Sequence, residues 1–190
     1  MEMRQALERI AKLKETEIGP TEENVKQKVI VPLLELLGHS RENLEFEYRT
    51  RRGGKIDILI RNVPPDCKVI IDTKNYTENL NDHIEQIKEY TFDEAALLTV
   101  IANGAEVRIY SPLRGVAFER SLLYSLNRQD LVKPTEWGVL SGLLSIDNLQ
   151  KRNVLKLIDQ REREIKDAMT NEESLKAEYD STTEGIDSEI

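Results

Sequence analysis

The chain has 190 residues, one cysteine, two histidines and a formal charge of −8. That length can bury one sizeable core, while a lone Cys67 excludes internal disulfides and thiolate-rich metal sites, and His39 and His83 leave little for zinc. No apolar run approaches the roughly 20 residues of a membrane span, and the opening MEMRQALERIAKLKE is charged throughout, unlike a signal peptide, so a cytoplasmic location with no membrane partner is expected.

In chain order, residues 4–16 read as an amphipathic helix ended by Gly19-Pro20. Thr21 is a candidate N-cap for a second helix with Glu22 and Glu23 in its first turn. Val25, Val29, Leu33 and Leu36 recur there at helical spacing, Gly38 supplies the stop, and the internal Pro32 predicts a kink or an interruption tolerated by tertiary packing. Three strand-like segments follow, at 44–50, 55–61 and 67–74. The first alternates apolar and charged residues, and the other two are rich in isoleucine and flank the turn signal Asn62-Val63-Pro64-Pro65-Asp66. A helix is predicted over 79–95, a buried strand over 97–102, and an alternating strand over Glu106–Tyr110 after the Asn103-Gly104 turn. Beyond Pro112 the pattern predicts helices near 120–126, 136–145 and 147–168. Residues 169–190 carry few large apolar side chains and read as a disordered acidic tail or linker. The order α-β-β-β-α-β-β predicts an α/β fold, a mixed β-sheet flanked by helices, with C-terminal helices added. The division expected is a domain at 1–150, its core at about 20–111, and a charged helix and tail at 151–190.

The chemistry-bearing residues lie on the two isoleucine-rich segments. Taken as an antiparallel hairpin centred between Pro64 and Pro65, they place Ile56 opposite Thr73, Ile58 opposite Ile71 and Ile60 opposite Val69. Asp57 then faces Asp72, and Lys74 shares their side of the sheet. Directly opposed residues have Cβ atoms about 4.5–5.5 Å apart. Two carboxylates so placed repel unless a cation sits between them, and a hard divalent ion suits carboxylate oxygens. With Lys74 beside it, such a cluster could hold a phosphodiester and activate water. The plainer alternative is a solvent-facing Asp57 and a surface Asp72–Lys74 salt bridge of little energetic weight. A one-residue slip in register would part the two aspartates.

Asp57 followed by Asp72-Thr73-Lys74 is similar to the D…(D/E)xK signature of the PD-(D/E)xK nuclease superfamily. Gln86-Ile87-Lys88-Glu89-Tyr90 matches the QxxxY motif that follows it in type I restriction enzyme R subunits. Thr21 to Lys26, running into Val31-Pro32-Leu33-Leu34 and Leu37-Gly38, resembles the opening helix of their N-terminal nuclease domain, and Asn103-Gly104 with Arg108-Ile109-Tyr110 resembles a later strand pair. The likeness spans about residues 20–111. It implies a restriction-endonuclease-like sheet in which Asp57, Asp72 and Glu22 bind Mg²⁺ or Mn²⁺ and Lys74 is the catalytic lysine. Glu22 is preferred to Glu23 because 22, 25, 29, 33 and 36 form one helical face; both glutamates also simply suit a helix N-terminus. Two departures stand out: Asp72 replaces the commoner Glu, and Ile56 stands where a proline often precedes the first Asp.

The implied function is metal-dependent endonucleolytic cleavage of DNA in restriction of foreign DNA. The chain would act alone, as a homo-oligomer, or beside motor and specificity subunits, since no G-x-x-x-x-G-K-[ST] motor motif occurs. The alternative is an inactive nucleic-acid-binding or assembly module of the same fold. Gln86 and Tyr90, four apart on one helical face, are expected to position DNA, as are Arg51 and Arg52. The negative charge does not preclude this, because residues 150–190 hold seven basic and eleven acidic side chains while 41–75 hold eight basic and six acidic. Cys67 and Trp137 read as packing residues, His39 as exposed and His83 as lying on a helix surface.

Overall fold

A computed structural model describes the backbone of residues 2–187 and the side chains of residues 2–176. Six strands form one mixed sheet in chain order: β1 (Leu44–Arg49), β2 (Lys55–Ile60), β3 (Val69–Thr73), β4 (Leu98–Ala102), β5 (Glu106–Tyr110) and β6 (Leu122–Asn127). All neighbours are antiparallel except β3 and β4, which run parallel. Parallel neighbours need a crossover, supplied here by a 3-10 turn at Leu80–His83 running into a helix at Ile84–Glu94. Every residue of β3 and β4 is buried, as expected where helices cover both faces.

The helices before the sheet are α1 (Glu2–Lys12), α2 (Glu15–Ile18), α3 (Glu22–Val25) and α4 (Val31–Leu36). The crossover helix is α5 (Ile84–Glu94), and after the sheet come α6 (Pro134–Leu144), α7 (Ile146–Gln150) and α8 (Asn153–Asp187). On one face the isoleucines and valines of the sheet, among them Ile58, Ile71, Val100 and Ile109, bury against Leu7 and Ile10 of α1, Val25 and Leu34 of the α3–α4 segment, and Leu140, Val154 and Ile158 of the C-terminal helices. On the other face Ile87 of α5 packs with Ile101 and Tyr110, and Leu59 with Ile70 and Ala96. The result is a helix–sheet–helix stack. Among the described residues, no helix is long and apolar enough to cross a membrane.

Thr21 caps α3 as its residue type suggests, its hydroxyl accepting from Asn24 N at 3.2 Å. Pro32 does not break the helix. Residues Lys26–Ile30 form a π-helical turn, with Val31 N–H bonding to Lys26 O, and Pro32 falls at the start of α4 just beyond it. A widened turn is a recognised way to absorb such an interruption. Asn103-Gly104 turns the chain as expected, Gly104 taking φ +84° while Asn103 Oδ1 accepts from the amides of Ala105 and Glu106.

Three expectations are corrected. The segment near 120–126 is strand β6: its pairing with β5, with Leu123 and Leu126 buried, outweighs the helical reading of a short leucine-rich run. The helix expected over 147–168 is broken at Lys151-Arg152, where Arg152 takes φ +60°. It resumes as α8, Asn153–Asp187; residues 188–190 of the expected tail lie outside the described residues. His39 is 3% exposed, because the turn after α4 tucks its ring under α6, with Nε2 2.7 Å from Leu144 O. Burial pushes its pKa down, the Leu144 contact opposing.

Residues 169–176 touch the body through the exposed Arg120–Glu172 ion pair, and Leu175 is 67% exposed. Exposed pairs contribute about 1 kcal/mol at most. A chain ending at Ala168 is therefore expected to melt within about 3 °C of the full chain, measurable by circular dichroism.

Candidate functional site

The site lies where β2 and β3 separate. Their register is the one the sequence implies, Ile58 opposite Ile71 and Leu59 opposite Ile70, but the ladder ends there. The expected rungs Ile56–Thr73 and Asp57–Asp72 are not formed. Instead Asp57 Oδ2 accepts from Thr73 N–H at 2.7 Å and from Thr73 Oγ1 at 2.5 Å. A side-chain carboxylate thus takes up an amide that a continuing ladder would have bound. The β1–β2 ladder is interrupted at the same level, since Glu47 and Asp57 form no rung although pairs flank them on both sides. Glu47 has φ +57°, a left-handed conformation unusual for a non-glycine residue in a strand. Side chains two apart should share a face. Yet Phe46 and Ile58 pack in the main core while Tyr48 and Ile56 pack toward Leu59 and Ile70. Both strands change sides together at the Glu47–Asp57 level.

Asp72 and Lys74 are each 6% exposed, with Lys74 Nζ 2.8 Å from Asp72 Oδ2. The contact is close as an ion pair but misdirected as a hydrogen bond, leaving that buried oxygen without a well-aligned donor. Burial pushes the Asp72 carboxyl up from 3.8 to about 6. Lys74 opposes this, while the charges of Asp57 and Glu22 add to it. Lys74 is also desolvated, but Asp72, Glu22 and Asp57 outweigh that and hold it charged above the ordinary lysine value. The asymmetry is physical: one ammonium serves several carboxylates, so the ammonium gains and Asp72 does not.

The QxxxY residues join this pair directly. Lys74 Nζ donates to Gln86 Oε1 at 3.0 Å, and Gln86 Nε2 donates to Tyr90 OH at 3.0 Å. An ammonium can only donate, which fixes the orientation of the Gln86 amide. The β1–β2 hairpin tip rests on Tyr90: a Cβ on Gly54 would stand 2.5 Å from its ring. Beside it, Arg51 N–H donates to Glu94, and Arg52 pairs with Asp93 at 3.0 Å while staying 84% exposed. Glu22 opens α3 at the surface, near enough for its charge to act on Asp72 and Lys74. His83 is partly exposed and pairs with Glu78, and Cys67 and Trp137 pack in or against the core.

Lys26 was not singled out by sequence, and it is the most buried charge at the site. Its ammonium lies 2.6 Å from Glu23, 2.6 Å from Glu47 and 3.6 Å from Asp57. Burial works against its charge, but the bonds to Glu23 and Glu47 and the nearby Asp57 hold it protonated well above the usual lysine range. A signal existed: Lys26 stands between the inward positions Val25 and Val29, where an unpaired lysine is rare.

Asp57, Asp72 and Glu22 are the oxygen-bearing side chains that a hard cation here would draw on, and the misdirected Asp72 oxygen and the surplus of carboxylates would suit one. Among the described residues, no three carboxylates already stand close enough together to hold it, since Asp57 is engaged by Thr73 and Lys26. The chain matches no family model, curated protein or solved structure.

A carboxyl whose folded pKa is raised stabilises the fold below about pH 4, and that contribution is lost as pH rises through about 6. Asp72→Asn mimics the protonated group. In chelator it should equal wild type near pH 4 and exceed it by up to about 3 kcal/mol at pH 7. Urea melts across that range measure the difference; equal stability at pH 7 would mean that Asp72 ionises without penalty.

Proposed function

We propose that the chain is a divalent-metal-dependent DNA endonuclease of the PD-(D/E)xK superfamily, acting alone or as the nuclease module of a type I-like restriction system. The observation that carries this reading is the buried Asp72–Lys74 pair at the parting of β2 and β3, next to Asp57 and wired through Gln86 to Tyr90. The order of three antiparallel strands, a crossover helix and a parallel fourth strand supports a restriction-endonuclease-like fold.

In this reading Asp57, Asp72 and Glu22 would hold Mg²⁺ or Mn²⁺, which would supply charge neutralisation at the phosphate and lower the pKa of water. Lys74 keeps a full positive charge beside the reacting phosphate and stabilises negative charge as it develops on the oxygens. An ammonium has three donors. Gln86 engages one, and Asp72 lies against the ammonium as an ion partner, so a donor is left for a phosphate oxygen. Gln86 and Tyr90 orient the ammonium without entering the chemistry, and Arg51, Arg52 and Lys55 on the hairpin tip contact the flanking backbone. A second reading, an inactive binding module, draws on the engagement of Asp57 by Thr73 and Lys26.

Plasmid cleavage separates the two. Wild type should nick or linearise DNA only with Mg²⁺ or Mn²⁺, and Asp72→Ala and Lys74→Ala should abolish this. Cleavage that survives in both variants would sink the assignment. Gln86→Ala and Tyr90→Phe should lower the cleavage rate about 10–100-fold while Mn²⁺ affinity stays near wild type.

A further inference from the structure

Two glycines lie side by side at the tip of the β1–β2 hairpin, and each stands there for its own reason. Gly53 takes φ +89° with open space around it, so its backbone favours a glycine. Gly54 lies outside the left-handed region, so its backbone needs none. What excludes a side chain there is space. A Cβ on Gly54 would stand 2.5 Å from the Tyr90 ring and 3.0 Å from Thr50 Oγ1. Carbon atoms rest about 3.5–4.0 Å apart, so something would have to move.

The hairpin is the less able to yield. Gly54 N–H donates to Thr50 Oγ1 at 2.9 Å, Thr50 N–H to Gly54 O at 2.8 Å, and Gly53 N–H to Thr50 O at 3.0 Å. Thr50 is buried, and the neighbouring Arg51 N–H is held by the buried Glu94. Tyr90 is only half-buried, and its hydroxyl is the acceptor for the Gln86 amide. Gln86 in turn presents Oε1 to the Lys74 ammonium at 3.0 Å. A displaced ring would take its hydroxyl with it, leaving the Gln86 amide free to turn and Lys74 without its fixed acceptor.

Gln86, Tyr90, Asp93 and Glu94 share one face of α5, at spacings of three and four. Asp93 and Glu94 hold Arg52 and the Arg51 amide, while Gln86 holds Lys74. One helix face thus joins the exposed arginines of the hairpin to the buried lysine. Gly54 is the point where the hairpin bears on that face.

We propose that Gly54 is a positioning residue: it seats the Tyr90 ring, and through Tyr90 and Gln86 sets where Lys74 directs its ammonium. The hairpin that meets the DNA backbone and the lysine that meets the reacting phosphate are then held as one unit. The proposal rests on the nuclease reading above, and Gly54 itself touches no reacting atom.

The test pairs plasmid-cleavage kinetics in Mg²⁺ with NMR of the full chain in chelator, reading the Gln86 side-chain amide. G54A should move those amide signals in the direction that Y90F moves them. It should lower kcat about 10–100-fold, as Y90F does, and leave KM within about twofold. In a Y90F background the hydroxyl is already gone, so adding G54A should change kcat by no more than about twofold. Three results would each overturn the proposal and leave the nuclease reading intact: Gln86 signals unmoved in G54A, a raised KM at unchanged kcat, or a G54A effect that multiplies in full onto Y90F. A wild type that cleaves nothing overturns the nuclease reading instead, and the amide signals of G54A and Y90F still decide whether Gly54 acts on Gln86 through Tyr90. Should G54A not fold, the wild type decides. Nuclear Overhauser contacts from Gly54 Hα to the Tyr90 ring, and from that ring to the Gln86 amide, would support the proposal, and their absence would overturn it.

Discussion

The fold depends on a conflict inside one hairpin. Ile58 and Leu59 on β2 and Ile70 and Ile71 on β3 are buried on both faces of the sheet, which forces those strands to pair at its centre. One residue further along, the same strands carry Asp57 and Asp72. Two charges opposed at ladder distance in a buried sheet would repel strongly and leave neither hydrated. The chain resolves this by ending the ladder: Asp57 turns its carboxylate onto the Thr73 amide and hydroxyl, and Asp72 turns to Lys74. What opens at the end of β2–β3 follows from that separation, including the room for Lys26 to reach in from the helical layer.

The site is not neutral once opened. Glu22, Asp57 and Asp72 converge on Lys74, and Glu23, Glu47 and Asp57 on Lys26, with Lys55 adding a further contact to Glu47. The raised carboxyl of Asp72 is where the residual imbalance appears, since it is the most buried of these acids. An acid held in this state stabilises nothing in the folded chain at neutral pH. Its retention makes physical sense if a cation relieves it, because binding the folded state alone then stabilises the protein. Two backbone irregularities, the π-turn at Lys26–Ile30 and the left-handed Glu47, lie in the same stretch, while the β4–β5 ladder is regular. Strain and uncompensated charge thus coincide.

Much of this was legible in the sequence, and the exceptions have physical causes. The positions of β1 to β5, the register at Ile58–Ile71, the Thr21 cap and the turn at Asn103-Gly104 follow from periodicity and turn chemistry, which act locally. The side-by-side placement of Asp57 and Asp72 did not follow. Strict alternation assumes a continuous ladder, and the left-handed Glu47 on the neighbouring strand breaks it. Lys26 escaped notice because a lysine in an amphipathic helix reads as solvated; only the three carboxylates from β1, β2 and α3 make its burial tolerable. His39 and β6 were misread for a related reason: α6 and α8 cover them, and nothing local to either announces the cover.

An acidic chain can still present a surface suited to a polyanion, and the arrangement of its charges indicates how. The exposed arginines and lysine of the β1–β2 hairpin stand beside Tyr90, anchored there by the close approach of Gly54 and by Glu94 accepting from Arg51 N–H. Glu94 is itself buried, held by Tyr48 and Lys68, so its charge is spent inside the protein. Glu23 and Glu47 are likewise paired with Lys26. Much of the acidic excess lies on α8, outside the β1–β2 hairpin and the Asp72–Lys74 site. Electrostatic attraction between exposed groups fades over about 10 Å at moderate salt, so a backbone phosphate near the hairpin is governed by Arg51, Arg52, Lys55 and Lys74 more than by the net charge. On the nuclease reading, the same screening would weaken the approach of a polyanion to this surface as salt rises, in proportion to the few basic groups that make the contact.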